Sequence, residues 1–160
     1  MATEKSMKIF AIGTTALLMM GGAGNAYAQC AAAPLNQQAI RTLVGGNTVC
    51  GKPGPNYPGG ASSSDRWQEE HFGSNNGALW DYKLGTSHPV DPRKQVGTWD
   101  AIGGSPQRIQ HAYTGGPTFL WTVHDNGTHI SFCTAQNGAE HVRAKVKTGT
   151  NVGCAAGDYP

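Results

Sequence analysis

The sequence predicts an all-β fold, a small antiparallel eight-stranded meander barrel with one short N-terminal helix. Three observations carry that reading. Beyond residue 47, short runs of β-branched and aromatic residues are separated by Gly, Asn, Pro and Asp, the punctuation of hairpins. Most runs show one apolar and one polar face. Eight strands in an open sheet would leave two unprotected edges, which closure removes. A two-sheet β-sandwich is the alternative.

Taken in chain order, Lys5 and Lys8 precede an apolar, small-residue run, and Ala26-Tyr27-Ala28 follows it. This pattern predicts a signal peptide over 1–28, one domain over 29–160, and a periplasmic or secreted protein. No stretch approaches the roughly 20 apolar residues of a membrane span. A helix is predicted over 34–43, where Pro34 suits a first turn and Leu35, Ala39, Ile40 and Leu43 recur at helical spacing. Gly45-Gly46 ends it. Strands are predicted over 48–51, 66–72, 78–84, 95–101, 107–114, 118–125, 128–134 and 141–148. The Pro/Gly/Ser-rich segment 52–64 and the segment 86–94 read as loops.

Turn chemistry sets the expected registers. Asn126-Gly127 suits a two-residue type I′ turn, pairing His124 with His129 and Val123 with Ile130. Gly115-Gly116-Pro117 as a three-residue loop pairs His111 with Trp121 and turns His111 to the core. Asn75-Asn76-Gly77 pairs His71 with Asp81 and Glu70 with Tyr82. The face of Phe72, Trp80 and Tyr82 is then inner and carries Glu70 and Gln68 with it.

Charge and cysteine content narrow the function. The chain holds 12 basic and 10 acidic side chains, too balanced for nucleic acid as the main partner. Four Cys in an exported chain, Cys30, Cys50, Cys133 and Cys154, read as two disulfides. Of the three pairings, Cys30 with Cys50 and Cys133 with Cys154 is favoured, each closing a loop worth about 3 kcal/mol. Zinc is disfavoured because there is no Cys-x-x-Cys spacing.

The short helix, the run Gly45 to Thr48 and Gly97-Thr98-Trp99 in a strand give a chain that resembles the small exported lipocalin-like (calycin-type) β-barrels. The resemblance concerns architecture. It implies a barrel that takes up small apolar molecules, although the Gly-x-Trp run stands mid-chain here rather than near the first strand.

The catalytic motifs sought are missing: no nucleophile elbow, no His-Glu-x-x-His, no phosphate-binding Gly loop. The chain is therefore read as a non-enzyme without a cofactor. The expected function is binding of a small apolar or amphipathic ligand by Glu70, Trp80, Tyr82, His111, Tyr113 and Trp121, since polar groups on aromatic faces mark a pocket. The same pattern also fits Glu70 at a solvated strand end and a core His111 bonded to backbone. No metal site is expected. His124 and His129, as cross-strand partners, come closest, but two ligands are too few. The alternative function is an envelope or extracellular protein-interaction module with a solid core, engaging a macromolecule through segment 52–64.

Overall fold

A computed structural model describes residues 30–58, 65–84 and 93–160, the side chains of 82–84 excepted. The expected signal peptide, residues 59–64 of the first loop and 86–92 of the second lie outside the described residues. Helix α1 spans Gln37–Val44, and the strands are β1 (Asn47–Pro53), β2 (Arg66–His71), β3 (Asn76–Leu84), β4 (Lys94–Ile102), β5 (Arg108–Tyr113), β6 (Thr118–Asp125), β7 (Ile130–Thr134) and β8 (Glu140–Lys147). Each strand pairs with its chain neighbour. Antiparallel pairing of β8 with β1, Val49 opposite Val146, closes the barrel.

The helix begins later than its apolar spacing suggests because Asn36 caps it. The Asn36 side chain accepts from the Ala39 backbone N–H at 2.8 Å, the ordinary cap geometry. Pro34 instead forms an isolated bridge with His124. Ile40 and Val44 lie on one face of α1 and are fully buried, joining Val49, Leu79, Trp99, Ile109, Val123 and Phe132 in the core. The helix thus plugs the end of the barrel where β1 starts and β2 and β4 finish. Gln37 and Arg41 fasten it there by donating to the Ala101 carbonyl.

Three hairpins pair two residues away from the expected registers. Between β6 and β7, Val123 faces Phe132 and His124 faces Ser131. Gly127, with φ +78°, takes the first turn position while Asn126 has no positive φ. The Asn126 N–H bonds the His129 carbonyl at 3.0 Å, so the turn is Gly127-Thr128, as in a type II′ arrangement. Between β5 and β6, His111 faces Phe119 and Ile109 faces Trp121; Pro117 supplies only its carbonyl, to the Tyr113 N–H, and closes a loop centred one residue earlier. Between β2 and β3, His71 faces Leu79 and Glu70 faces Trp80. A two-residue slip preserves faces, so His111 still points inward.

The inner face of β2 and β3 is the opposite of that expected. Leu79 and His71, both fully buried, lie inside, whereas Gln68, Glu70 and Trp80 point outward. The apolar outer face is used there because other parts of the chain cover it. The C-terminal tail crosses β1 and β2, held by Cys50–Cys154 and by the Cys154 N–H donating to Gln68 Oε1 at 2.9 Å. Segment 30–35 likewise crosses β6 and β7, with Leu35 N–H on the Val123 carbonyl and Cys30 bonded to Cys133. The disulfides therefore join Cys30 to Cys133 and Cys50 to Cys154, correcting the expected local pairing. Each tail is stapled to the strand it crosses.

Candidate functional site

Alternation along β2 and β5 carries a buried polar chain into the barrel. Glu69 and His71 project inward from β2, and His111 and Tyr113 do so from β5. Glu69, His71 and His111 are buried. The Tyr113 hydroxyl donates to Glu69 Oε1. His111 Nδ1 lies 3.7 Å from Glu69 Oε2, and its Nε2 lies 3.0 Å from His71 Nε2. Trp99 meets His71 edge-on at 5.3 Å, while Phe132 packs at 6.0 Å from His111.

Burial dominates the electrostatics. Desolvation raises the Glu69 carboxyl above its ordinary range, opposed by the Tyr113 hydrogen bond. Desolvation pushes His111 down to about 4. Burial, joined by the neighbouring His111, holds His71 well below the usual histidine range. Both imidazoles are neutral at pH 7, so each has one nitrogen with a free lone pair. Tyr113 is raised, first by burial and then by the Glu69 charge, and remains a hydrogen-bond donor.

At the barrel end opposite α1, aromatic rings continue from this chain to solvent. Phe119 stacks on Trp121 with centroids 5.4 Å apart and planes 13° apart, and Tyr113 meets Phe119 edge-on at 5.9 Å. Phe119 is 38% exposed. His141 packs edge-on against Trp121 at 5.5 Å. Tyr57 lies against Trp67 at 5.8 Å, on the strand face that carries Glu69.

Of the six residues expected to line a pocket, His111, Tyr113 and Trp121 share the inner face. Glu70 and Trp80 belong to a different, outer arrangement, and Tyr82 pairs with Gln68 by register, its side chain outside the described residues. Glu70 receives Arg93 through both guanidinium and carboxylate edges, at 2.6 to 3.1 Å. Arg93 lies 4.6 Å above the Trp80 ring and 5.6 Å from that of Phe72. Glu70 is therefore a paired anion under a cation–π lid, not a pocket carboxylate.

The His124 and His129 pair is not formed. His124 is buried beneath segment 30–35, with Nδ1 2.6 Å from the Ala32 carbonyl and Nε2 2.9 Å from Thr122 Oγ1. His129 stands 3.5 Å from Glu140. Cys30 and Cys133 lie within ligand distance of His124, but both sulfurs are committed to their disulfide. Glu69 and His71 were missed because the aromatic residues of β2 and β3 suggest the wrong inner face. The signal that could have found them is His71 itself, an imidazole alternating with a carboxylate beside a Leu79 too apolar for solvent.

No helix among the described residues is long and apolar enough to cross a membrane, which leaves open what strands do. Comparison with protein families, curated proteins and solved structures gives no match to this chain, so the geometry of the barrel carries the functional reading.

Proposed function

We propose that this chain is an exported, disulfide-stabilised β-barrel that binds a small amphipathic molecule at the end opposite α1. The carrying observation is the continuity from the exposed Phe119–Trp121 stack, through Tyr113, to the buried Glu69–His111–His71 chain. Large rings in water at the rim supply an apolar contact, and the polar chain beneath orients a ligand's polar end. Export is supported by two disulfides, which persist in oxidising compartments. The role is binding, with no catalytic step.

Intrinsic Trp fluorescence tests this directly. Titration of residues 29–160 with fatty acids, haem and planar aromatic probes is expected to give saturable quenching with one class, weakened by Trp121→Ala. An absence of saturable change with every class would remove the reading. The alternative, a macromolecular docking module built on 52–64, has less support, because Gly54 and Asn56 donate to the β8 backbone and Tyr57 packs on Trp67. Those contacts tie the start of that segment to the same rim.

A further inference from the structure

The buried pair His71 and His111 sets two imidazole nitrogens face to face inside the barrel. For the two Nε2 atoms to bond at 3.0 Å, one must donate and the other accept. If His111 donates from Nε2, its bare Nδ1 stands 3.7 Å from Glu69 Oε2, beyond hydrogen-bond reach. Glu69, His71 and His111 each offer one ligand atom, and these atoms lie within 4.8 Å of one another with all three residues buried. They come from strands that the closed barrel holds rigidly, β2 and β5.

We propose that Glu69, His71 and His111 form a binding site for one first-row divalent transition-metal ion, held by two imidazole nitrogens and one carboxylate oxygen. A cation takes one nitrogen lone pair from each ring and one oxygen of Glu69, and the other nitrogen of each ring then carries the hydrogen. Nitrogen donors select zinc, cobalt, iron or nickel over calcium and magnesium, which take oxygen ligands. The Tyr113 hydroxyl on Glu69 Oε1 is the outer hydrogen bond that orients a ligating carboxylate. Three protein ligands leave a coordination position for water or an added molecule. The site rests on side-chain geometry alone and does not depend on the barrel taking up an organic ligand.

Metal alone is the probe. The disulfide-intact chain is stripped with chelator, then titrated at pH 7.5 with Co2+ and, in competition, Zn2+. One equivalent of Co2+ with visible ligand-field absorption is expected. His111→Ala and His71→Ala should abolish it, Tyr113→Phe should weaken it about 10- to 100-fold, and His129→Ala should leave it unchanged. Because truncating a buried histidine can unfold the barrel, X-ray absorption on the zinc-loaded native chain supplies a second measurement. Two imidazoles with oxygen neighbours support the site. Sulfur ligation, a third imidazole, no stoichiometric binding of either ion, or binding that survives His111→Ala in a folded variant overturns it. Failure here leaves the fluorescence titration with organic ligands to stand or fall separately.

Discussion

His71 and His111, 40 residues apart in sequence, meet nitrogen to nitrogen at 3.0 Å inside the barrel. Each sits on an inward position of its own strand, and the closed sheet brings both to one place beside Glu69. Two neutral imidazoles and a carboxyl in so dry a setting couple folding to pH.

Stability of the metal-free chain should rise with pH through the histidine range. His111 is held at about 4 in the fold, whereas an unfolded imidazole titrates near 6.5. Between those values the unfolded chain binds more protons, so His111's contribution is fully present above about pH 6.5 and is lost as pH falls toward 4. From pH 7 to pH 5 this costs about 2 kcal/mol. His71 and His141, also lowered by burial, act in the same direction. Glu69, whose carboxyl is raised, acts oppositely: its contribution is present below its unfolded value and lost as pH rises through the folded one. Urea denaturation in chelator at pH 7 and 5 gives the answer, and equal midpoints would contradict the buried neutral pair.

Non-reducing peptide mapping should recover Cys30 linked to Cys133 and Cys50 linked to Cys154. These bridges span sequence separations of 103 and 104, so chain entropy assigns each about 4–5 kcal/mol, more than a local loop would supply. Double replacement of either pair by Ser should lower the urea-derived stability by a few kcal/mol. A peptide joining Cys30 to Cys50 would refute the tail arrangement.

Arg93→Ala should destabilise the barrel by about 1–3 kcal/mol. It leaves the Glu70 side chain, 1% exposed, without its bidentate partner, although Arg93 itself is 34% exposed and solvent screens part of the effect. Adding Glu70→Gln should recover much of the loss, because the unpaired charge is gone. A double variant no more stable than Arg93→Ala alone would show that the cation–π contacts, not the charge, dominate.

Gly97→Ala is expected to be severe, above about 3 kcal/mol or unfolding outright. A Cβ there would lie 2.1 Å from the Ala112 carbonyl oxygen and 2.9 Å from the Tyr113 Cα, both backbone atoms of β5. Gly157→Ala, with nothing within 4 Å, is the matched control and should stay within about 0.5 kcal/mol. Circular dichroism melting separates the two.

Local chemistry was enough to mark out the strands and the short helix. The alternation from Thr118 to Asp125 reproduces β6 residue for residue, and Val142, Ala144 and Val146 correctly mark the inner face of β8. His111, Tyr113 and Trp121 were legible as inward residues because a two-residue slip leaves every side chain on its own face. The turn centre at Gly127 was not legible, since Asn-Gly admits more than one two-residue turn and the tertiary partners choose. Glu69 and His71 were hidden because alternation gives two faces without saying which is inside once both are covered. On the outer face Phe72 and Trp80 pack against Arg93, and Gln68 accepts from the tail at Cys154; neither partner is near in sequence. Disulfide pairing follows the same physics: it depends on which outer face each tail crosses, and only the closed barrel brings Cys30 over Cys133 and Cys154 over Cys50.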